Sequence, residues 1–322
     1  MTDLPTDHAE PMETATRPAS TSPPPPTKDF NRQIIDEFRA HGGRVGGEFE
    51  GVPLLLLTTQ GARSGALHTT PLAYLRDGKR LVVFASNFGL PRHPDWYHNL
   101  RAHPQVIIEV GEAAQVKTYS AVAVLVEGDE RDRYLALQVQ RVPRFAEYPA
   151  KTTRPLPVIA LNLVDLTVPN KERDRAIAMN LLQSHEELRG SLRTLRASID
   201  DALAGNGRSV TFDAAAERDL MTHCLTFCTH LQVHHVREDG GFTALEEVSP
   251  HLAPVILQLR REHHVVAESL AKIRGIAERI ENGADEAELV TLRTELVELT
   301  STLEDHFAKE ERHLLPALGV PR

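Results

Sequence analysis

Leu231-Gln-Val-His-His-Val-Arg-Glu238 decides how this chain folds, and it has an echo at Leu303-Glu-Asp-His-Phe-Ala-Lys-Glu310. Each octet opens on a leucine, sets a histidine three residues on, and closes on a glutamate four residues after that. Residues three and four apart share one face of an α-helix. The pattern therefore predicts two helices whose apolar stripe runs into an imidazole and a carboxylate. Outward from these octets, strand-like alternation is absent beyond about residue 174, and helical segments are expected at 174–204, 212–238, 250–281 and 285–315. Gly205-Asn206-Gly207, Gly240-Gly241 and Asn282-Gly283 read as the breaks between them, because glycine and asparagine end helices.

The four stripes share a peculiarity. The first runs Ile177, Leu181, Leu188, Leu192, Leu195, Ile199, with His185 in the place where a leucine belongs. The second is Leu220, Cys224, Phe227, Leu231, then His234 and Glu238. The third carries His263 between Leu259 and Val266, and the fourth ends Leu299, Leu303, His306, Glu310. His235 and His264 lie about 100° round the helix from their neighbours, off the stripe, and with His223 and His230 read as flanking residues. In an up-down-up-down bundle the six stripe residues would converge on one end.

An unpaired buried polar group costs about 1–3 kcal/mol, and a buried charge more. Six together exceed what a domain stable by about 5–15 kcal/mol tolerates. A cation among His185, His234, Glu238, His263, His306 and Glu310 removes the penalty. Four imidazoles and two carboxylates are too many donors for one tetrahedral zinc. They suit two irons or two manganese ions, with Glu238 and Glu310 spanning both. Cys224 and Cys228, one helical turn apart, read as packing residues.

The order His185, His234-x-x-x-Glu238, His263 preceded by Glu262, and His306-x-x-x-Glu310 followed by Leu314-Leu315-Pro316 resembles the hemerythrin-like (HHE cation-binding) family. That resemblance implies a non-haem di-iron centre that binds dioxygen or serves redox and iron sensing.

Before the bundle the pattern is mixed. Residues 1–28, ending in four prolines, carry too little apolar surface to order and read as a disordered segment. An amphipathic helix over 30–40 is followed by strands at 53–59, 69–75, 81–85, 106–110, 116–126 and 157–164, with a helix over 129–141. Asp77-Gly78 is a hairpin signal. Short hairpin-linked strands predict a small antiparallel barrel, bounded from the bundle near Pro169-Asn170. Gly61-Ala-Arg-Ser-Gly65 offers backbone N–H groups beside a guanidinium, and Trp96 and Tyr97 offer aromatic faces. A hairpin turn beside a core tryptophan explains the same residues.

The order of Gly61–Gly65, Thr69-Thr70-Pro71-Leu72, Ala85-Ser86-Asn87, Pro94–Leu100, His103-Pro104, Phe145-Ala-Glu-Tyr148, Lys151-Thr152 and Pro155–Val158 resembles the deazaflavin-dependent nitroreductase family. The resemblance implies an α+β split β-barrel, flavin-reductase-like, over 29–168, ahead of an all-α up-down four-helix bundle over 174–318. It implies coenzyme F-420, with flavin mononucleotide as the alternative. Arg63, Ser64 and Gly65 would hold the phosphate tail. Pro71, Ser86, Asn87, Trp96 and Asn99 would line the ring and ribityl portion, and Tyr148 would face the substrate, a quinone or nitro compound. Homodimerisation through the barrel is a further expectation.

Composition excludes other classes. A net charge of −9 argues against a nucleic-acid binder. No apolar run reaches the 18 residues a membrane span needs. Two cysteines and no signal-peptide pattern point to the cytoplasm. The leading expectation is an oxidoreductase that reduces a quinone or nitro acceptor at the barrel while the di-iron bundle binds or senses dioxygen. The alternative is a non-enzymatic sensor of oxygen, nitric oxide or iron with an empty barrel.

Overall fold

The structure, a computed structural model, describes residues 28–205, 214–281 and 286–320. Residues 1–27 of the segment expected to be disordered, and the breaks at Asn206-Gly207 and Asn282-Gly283, lie outside the described residues.

Helix α1 (Lys28–Ala40) leads into seven strands, β1 (Leu54–Gln60), β2 (Leu67–Ala73), β3 (Leu75–Asp77), β4 (Arg80–Phe84), β5 (Gln105–Glu112), β6 (Gln115–Val126) and β7 (Val158–Leu163). They form one antiparallel sheet in the order β2-β1-β5-β6-β7-β4-β3. The strand expected over 69–75 is in fact two, β2 at one edge of the sheet and β3 at the other. Tyr74 alone separates them, so the sheet must curl until its edges nearly meet, which makes it a split barrel. Alternation along β1 serves both faces. Leu55 and Leu57 point into the core with Trp96, Leu100, Ile108 and Leu161, while Leu54 and Leu56 pack under α1 with Phe38. Helix α3 (Gly128–Arg141) matches the helix expected over 129–141, whereas α2 (Asp95–Ala102) and the short α4 (Tyr148–Lys151) have no counterpart among the expected elements.

Four long helices follow: α5 (Lys171–Gly205), α6 (Ala214–Val248), α7 (Ala253–Glu281) and α8 (Glu286–Ala317). Each packs against its neighbours in chain order and α8 closes on α5, giving the expected up-down bundle. Two sequence expectations fail in the bundle, the first of them on α6. The helix runs through Gly240-Gly241 without a break. Gly240 is a contact residue, because a Cβ there would stand 2.6 Å from Ser120 Oγ and 2.9 Å from Ile107 Cδ1. Glycine lets the helix lie directly on strands β5 and β6. The polar residues also do not sit at the bundle's end. One apolar cluster, including Leu188, Leu231, Val266 and Leu303, lies on one side of them. A second, with Leu181, Phe242, Leu259 and Leu314, lies on the other. The histidines and glutamates form a polar layer inside the bundle.

Bundle and barrel are joined through α6. Ser120 Oγ donates to the Arg237 carbonyl (3.1 Å), and Thr243 Oγ1 donates to the Thr118 carbonyl (2.6 Å). No helix among the described residues is long and apolar enough to cross a membrane.

Candidate metal centre and cofactor barrel

The structure brings His185, His234, Glu238, His263, His306 and Glu310 together, and adds a seventh residue. Donor atoms of His235, Glu238, His263 and His306 lie within 4.8 Å of one another, and so do those of His185, His234, Glu238 and Glu310. His235, read from the sequence as flanking, is 5% exposed and stacks on His263 with ring centroids 4.2 Å apart. The correction has a geometric cause. Helix α6 packs between α5 and α7, so its inward stripe is wide enough for two adjacent residues. His234 turns toward His185 on α5 (ring centroids 5.1 Å) and His235 toward His263 on α7. His223 and His230 are exposed, and the His264 side chain is 81% exposed.

The two glutamates span both groups. Glu310 Oε2 stands 3.2 Å from His185 Nε2, while its Oε1 stands 3.2 Å from His306 Nε2 and 3.5 Å from His263 Nε2. Glu238 divides likewise, with Oε1 3.2 Å from His234 Nε2 and Oε2 3.5 Å from His263 Nε2. One half therefore holds three imidazoles and the other two. Both are bridged by carboxylates.

The outer nitrogens fix which atom faces inward. His185 Nδ1 meets Glu311 (2.9 Å), His263 Nδ1 meets Asp239 (3.0 Å) and His306 Nδ1 meets Glu262 (2.9 Å). A proton held at Nδ1 by a carboxylate leaves the Nε2 lone pair free to ligate, the usual arrangement around a metal-bound histidine. The inward atoms fit this. His185, His234 and His235 Nε2 and all four oxygens of Glu238 and Glu310 are buried without a hydrogen-bond partner. Lys309 pairs with Glu262, and Arg189 contacts Glu311 (3.3 Å), which tethers two of the outer carboxylates. Phe307 stacks on His185 (4.1 Å) and Phe242 on His263 (5.6 Å), screening the layer from water.

The electrostatics call for positive charge. Burial favours neutral Glu310, yet His185, His263 and His306 hold it well below the usual carboxylate range. Burial also opposes a charged His185, but Glu238 and Glu310 outweigh it and raise its pKa to about 9. Asp239 and Glu310 overcome burial at His263, raising it to about 10. Burial wins at His234, and at His235, where the neighbouring His263 adds to it. Ionised glutamates thus draw protons onto imidazoles, and a cation binding there would displace those protons. The seven donors fit a metal pair.

The barrel residues fall into two groups. Arg63 and Ser64 are exposed on the turn between β1 and β2, where Gly65 adopts φ +67°, a conformation side chains disfavour. Asn99 is buried beneath this turn. Its Oδ1 accepts from the Ala62 N–H (3.0 Å) and its Nδ2 donates to Thr59 Oγ1 (3.2 Å). The expectation of free backbone N–H groups needs correcting. Gly61 N–H donates to the Ala66 carbonyl, Gly65 N–H to the Gly61 carbonyl, and Ala66 N–H to Ser64 Oγ. With Ala62 also taken, little backbone remains for an anion.

The second group lies at the Ala85–Leu90 loop. Asn87, Phe88 and Gly89 have φ of 47°, 55° and 79°, and Asn87 Nδ2 donates to the Arg92 carbonyl (2.9 Å). Gly89 packs against the backbone of Tyr148, which brings Ser86, Asn87 and Tyr148 into one neighbourhood. Arg154, missed in the sequence, holds the loop. It donates to the carbonyls of Ala85 (3.0 Å), Ser86 (2.6 Å) and Leu90 (2.9 Å). Nothing in the local pattern distinguishes it from any surface arginine. Trp96 is 6% exposed within the barrel core, and Pro71 pairs with Leu56 on the α1 side of edge strand β2.

Over residues 30–162 the chain matches the family model described as F420H(2)-dependent quinone reductase, and over 173–318 the one described as hemerythrin HHE cation binding domain. An F420H(2)-dependent quinone reductase of Mycobacterium tuberculosis is 38% identical over 128 residues, 38% of this chain and 83% of the relative. A putative F420H(2)-dependent quinone reductase of the same species is 34% identical over 119 residues, 37% of this chain and 97% of the relative. Among solved structures, an F420-H2 dependent reductase (FDR-A) is 36% identical, covering 34% of this chain and 93% of that one, with a TM-score of 0.31. A domain-swapped dimer is 34% identical, covering 40% of this chain and 92% of that one, with a TM-score of 0.33.

Proposed function

This chain belongs to the F420H(2)-dependent quinone reductase family, and on that premise we propose that it reduces quinone or nitro acceptors at the barrel and holds two irons in a hemerythrin-like bundle that binds or senses dioxygen. The chain is a deazaflavin-dependent oxidoreductase by family, and a bound reduced deazaflavin supplies the hydride. The protein's own residues bind, orient and exclude water. Arg63, Ser64 and Gly65 take the anionic tail. Ser86 and Asn87, on the loop that Arg154 holds in place, line the ring, and Tyr148 beside them faces the acceptor. Trp96 and Asn99 act from beneath, as floor and brace of the pocket, and Pro71 lines it from edge strand β2, opposite Leu56 of β1.

In the bundle, His235, His263 and His306 would hold one iron and His185 and His234 the other, with Glu238 and Glu310 shared. The observation that supports this reading is the seven buried donor atoms without partners. Their mixed nitrogen and oxygen chemistry suits iron or manganese over zinc. Val122 and Val124, exposed on one face of β6, support pairing of two chains through the barrel.

Two measurements test the proposal. Mixing the protein anaerobically with reduced F420 and a quinone should oxidise the cofactor, restoring its oxidised-form absorbance, only when the acceptor is present. Elemental analysis should give about two irons per chain. Turnover with no acceptor in a quinone and nitro panel would refute the barrel half, and a metal-free, fully stable protein the bundle half.

A further inference from the structure

Arg237 stands between the two sites. Its backbone belongs to the metal-facing turn of α6, one residue from Glu238, while its side chain reaches the barrel and donates to Gln60 Oε1 (3.0 Å). Gln60 ends β1, and the next residue opens the Gly61–Gly65 turn. The other end of the Gln60 amide faces that turn, with Nε2 3.9 Å from where a Cβ on Gly65 would lie. The guanidinium is thus one amide group away from Gly65.

Its partners do not account for its charge. Arg237 is only partly exposed, and among the described residues no carboxylate pairs with it. The barrel's Arg39, Arg76, Arg80 and Arg133 each have one, as does Arg189 in the bundle. A guanidinium carries five N–H donors, and a single neutral amide oxygen engages one of them here. A largely buried cation left uncompensated is costly. The turn beside it also lacks the backbone donors that would bind an anion unaided, since the N–H groups of Gly61, Ala62, Gly65 and Ala66 are already engaged.

We propose that Arg237 is an anion-binding residue of the barrel contributed by the bundle, meeting the phosphodiester or carboxylate groups of the deazaflavin tail beside Gly61–Gly65. The inference rests on deazaflavin binding as proposed above. Gln60 holds the guanidinium in place until the tail arrives, and Arg63 supplies the second positive charge from the solvent side. The cofactor site is then complete only when α6 lies on the barrel.

The test compares full-length, metal-loaded wild type with Arg237→Gln and Gln60→Glu. Affinities are measured by fluorescence titration for F420 and for the tail-less deazaflavin riboside. Arg237→Gln should weaken F420 about tenfold, the loss of one charge-assisted contact, and leave the riboside and the metal content unchanged. Gln60→Glu keeps the arginine but neutralises it with a new ion pair, so it should reproduce the tail-specific loss even if Arg237→Gln folds poorly. Equal weakening of both ligands would make Arg237 a structural brace and overturn the inference. Unaltered F420 binding in both variants would overturn it too, with the deazaflavin reading intact. A wild type that binds no F420 would remove both together.

Discussion

In the bundle, the reactive atoms are buried between two apolar clusters, and three of the imidazoles are held from behind by a carboxylate on another helix. In the barrel, the corresponding residues sit on a turn and a loop at the surface, and the buried residues nearest them serve as braces. A metal ion needs several donors converging on a point, and only rigid packed elements deliver that. A large cofactor brings its own reactive atom and asks the protein for an outline, which loops can provide. The first kind of site shows itself by what it leaves unsatisfied. The second shows itself chiefly by kinship.

The contrast can be broken most directly by stripping the metal. If the donors are satisfied by cations, a chelator should lower the bundle's melting transition by roughly 10 °C, since ligand at a thousand times its Kd contributes about 4 kcal/mol and each kcal/mol shifts a domain of this size by about 2–4 °C. The barrel's transition should stay put. Calorimetry showing the two falling together would mean that the domains melt as one unit.

Replacing His235 by alanine sharpens the assignment within the bundle. Its half of the layer loses one of three imidazoles, so the metal count should drop from about two per chain to about one. Retention of both metals would return His235 to the flanking role.

On the barrel side, Arg154→Ala leaves three loop carbonyls without their donor. We expect the barrel to lose about 2 kcal/mol of stability, as for a partly buried charged hydrogen-bond donor, with weaker F420 binding and unchanged metal content. A loss of metal in this variant would contradict the separateness of the two sites. The smallest effect belongs to Tyr148→Phe, which should lower kcat about tenfold, as for the loss of one hydrogen bond of roughly 1.4 kcal/mol to the acceptor, while F420 affinity holds. A fall in affinity with kcat preserved would place Tyr148 against the cofactor.

The same contrast explains what was legible in the sequence. Stripe positions occupied by His185, His263, His306 and Glu310 announced themselves because leucine belongs there. His235 was missed because a narrow three-and-four stripe admits one residue per turn, whereas a helix wedged between two partners presents two. Gly240-Gly241 looked like a stop because glycine's local preference says so. Only the strands lying across the helix reveal that the missing side chain makes room for them. Arg154 and Arg237 gave no local signal at all, since their importance comes from residues 64 or more positions away. The split at Tyr74 was equally hidden, because β2 and β3 have one continuous strand-like pattern and differ only in which edge they join.

That split carries a consequence for rearranging the chain. Ala73, Tyr74 and Leu75 stitch the two rims of the sheet together directly. A circular permutant opened there would free two strand edges at once and invite chains to pair with each other. One opened at the two-residue Gly78-Lys79 hairpin would leave the stitch closed.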